Sequence, residues 1–249
     1  MSFIEIRSLS HRFTDGTLGL DRIDLGIDSG EFVVVAGENG SGKTTLLRHV
    51  NGLLLPTDGE VIVDGRSVAA DPVRARLKIG MVFQDADSQI VGQTVAEDAA
   101  FGPENLGFDR LQIDRRVRSA LEAVGLAHAA DQAPHLLSGG EKRRLAIAGV
   151  LAMGPEGIAF DEPFSNLDYA GVRQVLAQMV ALHRSGHTLV VTTHEVEKVA
   201  AHADRLVILH RGAVVLSGPP AALFSELERY GIRQPCAFKL GKEVDSWLA

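Results

Sequence analysis

The fold that this sequence predicts follows from the stretch Gly37-Glu38-Asn39-Gly40-Ser41-Gly42-Lys43-Thr44. It fits the pattern Gly-x4-Gly-Lys-Thr and lies directly after the apolar run Phe32 to Ala36, before a helix that we expect to begin near Lys43. Glycines let the backbone aim its N–H groups at a phosphate chain, and the positive end of the helix dipole favours the same anion. We therefore predict a phosphate-binding loop; a glycine-rich turn without a ligand is the alternative.

The apolar runs along the chain predict an α/β core around this loop. Phe32 to Ala36 shows no polar alternation and is rich in β-branched residues, as expected for a strand buried on both faces of a parallel sheet. Leu189 to Thr193 and Leu206 to Leu209 have the same character. By contrast, Phe3 to Ile6 and Leu20 to Leu25 alternate and predict antiparallel strands.

The remaining segments predict a helical insertion and a tail. Residues from about 94 to 153 are expected to be mainly helical, because apolar positions recur at helical spacing in Ile113 to Val124 and Leu145 to Met153. After Gly218-Pro219-Pro220 an amphipathic stretch reaches Tyr230, and an irregular segment continues to Ala249. This last part is too short to form a second domain.

Composition excludes several classes of protein. The chain has 249 residues, of which 45% are hydrophobic and 23% charged, so it is not disordered. A net charge of -7 gives no basic footprint, and we expect no nucleic-acid partner. Leu145 to Pro155, an uncharged and mainly apolar run, is about half of the roughly 20 residues that span a bilayer. Cys236 is the single cysteine and Met1 to Arg7 resemble no secretion leader, so a cytoplasmic location is expected.

Two further groups of residues predict phosphoryl chemistry. Lys43 can reach the β- and γ-phosphates of a nucleotide, and Thr44 can ligate Mg²⁺. Ile158-Ala159-Phe160-Asp161-Glu162 places two carboxylates at the end of an apolar strand. We predict that Asp161 positions Mg²⁺ and that Glu162 is the general base for an attacking water. An acidic pair that only caps a helix is the alternative.

The stretch Leu137-Ser138-Gly139-Gly140-Glu141 resembles the signature motif of ATP-binding cassette (ABC) ATPases. The resemblance covers residues 1 to 220 and implies a P-loop NTPase core with a parallel sheet, an antiparallel β subdomain and a helical signature subdomain at about 85–153. Residues 221–249 are then a short C-terminal tail. In this family the motif binds the γ-phosphate of ATP held by the opposite subunit, so the resemblance implies a dimer and an enzyme that hydrolyses ATP.

Other stretches resemble further elements of that family. Gln84 matches the glutamine that touches Mg²⁺ and the water site, and His194 matches the histidine that contacts the γ-phosphate and orients the water. Asp168, in Ser165-Asn166-Leu167-Asp168, matches the loop that crosses the dimer interface. Phe13 stands where the family has a tyrosine that stacks on adenine; a core phenylalanine is the alternative. The resemblance thus predicts an ATP site made of Phe13, Gly37, Glu38, Asn39, Gly40, Ser41, Gly42, Lys43, Thr44, Thr45, Ser138, Gly139, Gly140 and Asp168.

Two residues near these motifs stand apart from the pattern. Gly157 occupies a position where the family prefers bulky aliphatic residues, and we expect it to loosen packing locally. His49 is the histidine closest in sequence to the phosphate loop, and we expect it to be a bystander.

The segment from Gln84 to Gly107, with Phe101-Gly102-Pro103-Glu104-Asn105, resembles the energy-coupling factor (ECF) ATPases. These serve uptake of vitamins, among which biotin is the first expectation, or of cobalt and nickel. The resemblance implies a groove that receives the coupling helices of a transmembrane protein, a separate solute-binding membrane protein, and a peripheral position at the cytoplasmic face of the cell membrane. A surface helix without a partner is the alternative for this segment.

Several alternatives stay open at this point. The second subunit can be an identical chain or a paralogue. The chain can also serve a classical ABC importer, or be a soluble ABC ATPase outside transport, although it shows neither a coiled-coil insertion nor a second cassette. A P-loop kinase or GTPase is countered by the Ser138 to Glu141 motif.

Overall fold

The fold is that of a computed structural model, which describes residues 2–248. Its strands are β1 (Ser2–Arg12), β2 (Leu18–Asp28), β3 (Phe32–Ala36), β4 (Asp58–Val63), β5 (Arg66–Ser67), β6 (Ile79–Val82), β7 (Gly157–Asp161), β8 (Thr188–Thr193), β9 (Arg205–His210) and β10 (Ala213–Gly218). Its helices are α1 (Lys43–Val50), α2 (Pro72–Lys78), α3 (Val95–Asn105), α4 (Arg110–Ala123), α5 (Gly139–Met153), α6 (Tyr169–Arg184), α7 (Pro220–Leu223) and α8 (Cys236–Lys239). Short 3-10 segments lie at Ala127–Ala129, Pro134–Leu136, Val196–Lys198, Ala200–His202 and Phe224–Tyr230.

Two sheets form the framework. The four-stranded sheet has the order β2-β1-β4-β5, and its pairs are antiparallel. The six-stranded sheet has the order β10-β9-β3-β8-β7-β6, in which β10 is an antiparallel edge strand and the other pairs are parallel. The predicted α/β class is confirmed, and so are the predicted antiparallel strands near the N-terminus.

Strand β3 is buried on both faces, as its continuous apolar run predicts. Phe32 and Val34 belong to the hydrophobic core shared with helices α3 to α6. Val33 and Val35 belong to a second core, shared with the antiparallel sheet and helix α1. Because successive side chains of a strand point to opposite faces, this one strand ties the two cores together.

The parallel register places four loops at one edge of the larger sheet. Ala36 at the end of β3 lies opposite Thr193 of β8, and Asp161 at the end of β7 lies opposite Thr192. Strand β6 ends beside β7, with Val82 opposite Phe160. The loops that follow β3, β6, β7 and β8 therefore start together, which is where open α/β sheets bind ligands.

The predicted helical insertion is present as α3, α4 and α5, and each helix begins with a capping box. The pairs are Thr94 with Glu97, Asp109 with Gln112, and Ser138 with Glu141. In each pair the first side chain accepts from a backbone N–H of the first turn, and the acidic or amide side chain accepts from the capping residue. These boxes fix where the three helices start.

The C-terminal segment packs against the same core as the helical insertion. Phe224, Leu227 and Ile232 are buried in it, and Trp247 lies beside Tyr169 with the ring centroids 5.6 Å apart. The amphipathic stretch predicted up to Tyr230 is folded as α7 and a 3-10 turn, and α8 interrupts the segment predicted to be irregular.

Gly157 does not loosen the structure, contrary to the expectation from its sequence. A Cβ atom at this position would lie 2.9 Å from Cε1 of Phe3 and 3.3 Å from the carbonyl oxygen of Thr188. The space that a larger residue would fill is therefore occupied by the Phe3 ring of strand β1. The glycine allows the two sheets to pack closely at this point.

Between residues 2 and 248, no helix is long and apolar enough to cross a membrane.

The contact between strand β6 and helix α5 can be tested directly. Gly80 faces Val150 of helix α5, and a Cβ atom at residue 80 would overlap Cγ1 of that buried valine. We expect Gly80→Ala to lower the free energy of unfolding by about 1–3 kcal/mol through overpacking, as measured by urea denaturation. In the double variant Gly80→Ala/Val150→Ala the loss should be smaller than the sum of the single losses. Additive losses would show that residues 80 and 150 do not meet.

Candidate functional site

The glycine-rich loop joins β3 to α1 and wraps around the start of that helix. Gly40 and Gly42 have φ values of 79° and 106°, in the left-handed region that glycine adopts freely. Gly37 approaches the Leu209 carbonyl and the Ser41 hydroxyl so closely that any side chain would collide with them. Since the first N–H groups of a helix have no partner inside it, the start of α1 offers an anion several donors.

Lys43 lies buried beneath this loop, with 6% of its surface exposed. Its Nζ donates to the carbonyl oxygens of Gly37 at 2.8 Å and Glu38 at 3.1 Å. It also lies 3.3 Å from Oε1 of Glu162. One cation is thus buried with carbonyl dipoles and a carboxylate, which offsets part of its desolvation cost.

Thr44 and Asp161 form a pair of oxygen donors next to the lysine. Thr44 Oγ1 lies 2.8 Å and 3.0 Å from the two carboxylate oxygens of Asp161. Asp161 also accepts from the hydroxyl of Thr192 at 2.8 Å, which fixes the orientation of its carboxylate. The residues of the described chain contain no cluster of three His, Cys, Asp or Glu side chains able to hold a metal alone. A hydroxyl and one carboxylate fit Mg²⁺, which takes few protein ligands when phosphate oxygens complete its shell.

Glu162 follows Asp161 and has an unusual backbone conformation. Its φ is 44°, and its N–H donates to the carbonyl of Thr192 at 3.1 Å. Non-glycine residues in this region are strained, and such strain collects at functional sites. Glu162 Oε1 is buried and makes no hydrogen bond within residues 2–248. This oxygen therefore faces the Lys43 ammonium at 3.3 Å without a hydrogen bond to it.

His194, at the end of β8, holds the other oxygen of this carboxylate. Its Nδ1 lies 3.0 Å from Oε2 of Glu162. A carboxylate can only accept, so Nδ1 carries the hydrogen of this bond. A second hydrogen bond from the ring to a phosphate would then have to come from Nε2, which requires the imidazolium form.

A pocket of about 600 Å³ surrounds these groups. It brings together Phe13, the glycine-rich loop, Gln84, Glu162 and His194. Thr17, Leu18 and Gly19 add to its wall beside Phe13. The volume lies in the range of pockets for ligands the size of a nucleotide. Most of the site residues predicted from the sequence therefore share one cavity.

The signature residues do not line this cavity. Ser138 caps α5, and its hydroxyl donates to Glu141 at 2.7 Å. This hydrogen bond lowers the pKa of the Glu141 carboxyl. Asp168 caps α6 by accepting from the N–H of Gly171 at 2.8 Å. None of Ser138, Gly139, Gly140 and Asp168 belongs to the wall around Lys43.

The signature residues and the Asp168 loop instead form one adjoining surface. A Cβ atom on Gly139 would lie 3.9 Å from Leu167, and one on Gly140 would lie 3.3 Å from the Cα of Gly171. Ser138 and Asp168 are both exposed. The residues predicted to contact the ATP held by the opposite subunit therefore lie at a surface separate from the pocket around Lys43.

Two residues at the site have no counterpart among the sequence predictions. Arg143 is buried in α5, donates to the Phe83 carbonyl, and donates to the Gln84 carbonyl at 2.5 Å. Nothing in the sequence distinguishes this buried arginine from its neighbour Arg144. Thr192 donates its hydroxyl to Asp161 and accepts from the N–H of Glu162. The sequence does mark this residue, because it places a hydroxyl inside an apolar strand.

Comparisons with known proteins agree on one family. The family model described as "ABC transporter" matches residues 20–165. A putative ABC transporter ATP-binding protein of Halobacterium salinarum is 48% identical over 93% of this chain and 100% of its own length. The energy-coupling factor transporter ATP-binding protein EcfA of Methanocaldococcus jannaschii is 42% identical over 92% of this chain and 83% of its own.

A solved structure gives the same result for the fold. It is that of cbiO1 from Clostridium perfringens, described as part of the ABC transporter complex cbiONQ. It superposes with a TM-score of 0.84 and 33% identity, covering 96% of this chain and 98% of the other.

The position of Glu162 predicts that its substitution will impair ATP hydrolysis without impairing nucleotide binding. We expect Glu162→Gln to lower the ATP hydrolysis rate by about a hundredfold or more, because the amide cannot accept the proton of water. Nucleotide affinity should not fall, since the loop remains and the phosphates of the bound nucleotide replace the Glu162 carboxylate as the anionic partner of Lys43. Phosphate release and nucleotide binding by calorimetry measure the two effects. Glu195→Gln is the matched control, because Glu195 pairs with Lys198 outside the pocket. Equal hydrolysis rates in the two variants would show that Glu162 is not the general base.

Proposed function

We propose that this chain, which belongs to the ABC transporter family, hydrolyses ATP to drive uptake of a small solute through an ECF-type transporter. The relationship to ECF ATP-binding proteins and the pocket around Lys43 support the ATPase part of the proposal. The observation that carries the coupling to a membrane protein is an apolar groove beside β6.

Within the pocket, each residue has a role that its position suits. The loop and Lys43 hold the phosphate chain, and Phe13 stacks on the base. Water attacks the γ-phosphorus, its proton passes to Glu162, and the bond to the bridging oxygen breaks to leave ADP and phosphate. His194 keeps the Glu162 carboxylate in place through its Nδ1 hydrogen. Catalysis of this kind depends on positioning and electrostatics rather than covalent chemistry.

Thr44 and Asp161 are the residues that would hold Mg²⁺, with Gln84 at the edge of the same pocket. When bound, the ion neutralises charge on the phosphates. The Thr192 hydroxyl donates to Asp161 and orients its carboxylate for this task.

A second subunit would complete the site. Ser138, Gly139, Gly140 and Asp168 lie outside the pocket around Lys43 but form one exposed surface. A two-fold axis between two copies would place that surface of one copy against the nucleotide of the other, twice. We therefore propose a homodimer with two ATP molecules at its interface; a paralogue with the same motifs could take the place of the second copy.

The groove lies between the core and the helical insertion and has a volume of about 550 Å³. Its large exposed apolar side chains are Leu53, Val73, Leu77, Val91 and Phe101. Val91 and Phe101 are 60% and 53% exposed. Apolar patches of this kind on a solvent-exposed face mark interaction sites. An amphipathic coupling helix of a transmembrane protein fits such a groove.

The groove is physically connected to the ATP pocket through the end of β6. Phe83 lines the groove and Gln84 lines the pocket, and Arg143 binds the carbonyls of both. The side chain of Gln89 also lines the groove and bonds to the backbone of Phe83 and Met81 at 3.0 and 3.1 Å. Movement of a partner in the groove would therefore move Gln84.

The solute is selected by a separate membrane protein in this proposal, so the ATPase chemistry does not specify it. Biotin is the first solute to test, and cobalt or nickel ions come next. The chain would sit at the cytoplasmic face of the cell membrane, peripheral to its transmembrane partner.

The groove can be tested by affinity purification in mild detergent from the native membranes. We expect the tagged wild-type chain to recover a transmembrane coupling protein and a small solute-binding membrane protein, and we expect Phe101→Ser to lower their yield by about tenfold or more. Leu111→Ser is the matched control: Leu111 is 72% exposed on α4 and lies outside the groove. Solute that co-purifies is identified by mass spectrometry.

Recovery of soluble partners alone would leave the ATPase in place and remove transport from the proposal. Equal loss of the membrane partners in both variants would show that their binding does not depend on the groove.

A further inference from the structure

Three aromatic rings run in a row from the ATP pocket into the protein. The Phe13 and His11 rings have centroids 4.7 Å apart and meet edge to face at 84°. His11 and His49 have centroids 4.7 Å apart at 70°. Phe13 lines the pocket, whereas His11 and His49 are buried behind it and are not part of its wall. His11 thus stands between the exposed ring and helix α1.

The hydrogen bonds of this row fix where its hydrogens are. His49 Nδ1 lies 2.8 Å from the carbonyl oxygen of Thr45, which can only accept, so Nδ1 carries a hydrogen. Burial lowers the pKa of the His49 imidazole, which is therefore neutral with a bare Nε2. His11 Nδ1 lies 3.2 Å from that atom and must donate to it. The hydrogen bonds therefore run from His11 through His49 to Thr45.

Phe13 is 40% exposed, and two contacts bear on the orientation of its ring. One side lies against Gly19 of β2, so close that a Cβ atom there would be 2.6 Å from Cε2 of the ring. The edge-to-face contact with His11, near the end of β1, supports the ring from the buried side. Without His11 the ring would keep Gly19 beside it but lose the partner that sets its tilt.

We infer that His11 is a positioning residue, which holds the Phe13 ring in the plane that stacks on the nucleotide base and is itself anchored through His49 to Thr45. His11 acts through Phe13 and does not touch the nucleotide. The inference rests on the proposed function, because it requires ATP to occupy the pocket around Lys43. Under this inference His49, which we expected to be a bystander, links the base-stacking ring to the phosphate-binding helix.

The test compares ATP with inorganic tripolyphosphate, which has the phosphate chain but no base. Binding of each to the purified full-length chain is measured by calorimetry for wild type, Phe13→Ala, His11→Asn and the double variant. Asparagine keeps a donor for His49 but removes the ring that faces Phe13. We expect His11→Asn to weaken ATP binding by about threefold to tenfold, the range typical of one aromatic contact. Affinity for tripolyphosphate should stay at the wild-type value.

The double variant distinguishes positioning from a separate contribution. If His11 acts only through Phe13, His11→Asn should add nothing to the loss in Phe13→Ala. His11→Gln, which offers its donor one atom further out, provides a second folded variant and should weaken ATP in the same way. Wild-type affinity for ATP in His11→Asn, additive losses, or equal losses for ATP and tripolyphosphate would each overturn the inference. Failure of the wild-type chain to bind ATP would instead overturn the proposed function.

Discussion

The buried contact between Lys43 and Glu162 holds the site together. A lone charge in a protein interior costs several kcal/mol, so each of these groups needs the other and the surrounding dipoles. The 3.3 Å separation of their charged atoms requires the ends of β3 and β7 to lie near one another, with β8 between them. The parallel order β3-β8-β7-β6 meets this requirement and also delivers His194 and Gln84 to the same edge.

The same geometry connects the pocket around Lys43 with the apolar groove. Strand β6 ends between the pocket and the apolar groove, and Arg143 fastens that end to helix α5. The residues that cap the start of α5 are those proposed to contact the nucleotide of a second subunit. A single helix therefore adjoins the dimer surface at its N-terminus and the groove along its side, where Ala146, Gly149 and Val150 line it. In the proposed dimer this helix would link the interface between the two subunits to the groove.

Much of the fold was predictable because its signals are local. The buried run Phe32 to Ala36, the loop from Gly37 to Thr44 and the carboxylates Asp161 and Glu162 are each recognisable within a few residues of sequence. The structure places the loop and Glu162 around one pocket, with Asp161 bonded to Thr44. The role of Arg143 was not predictable, since its partners are backbone carbonyls about 60 residues away in sequence. The packing of Gly157 depends likewise on Phe3 in another sheet, and the His11–His49 link joins a strand to a helix. Such contacts arise only from tertiary structure.

The proposal that two chains share each ATP site is tested most directly by mixing two inactive variants. Lys43→Ala removes the cation beneath the phosphate loop. Gly139→Asp places a negative charge at the signature surface, where a Cβ atom would lie 3.9 Å from Leu167. Each variant alone should hydrolyse ATP at background rate. An equimolar mixture should recover about a quarter of wild-type activity, because half of randomly paired two-fold dimers are mixed and each holds one complete site. A mixture no more active than either variant alone would show that the two chains do not share their sites.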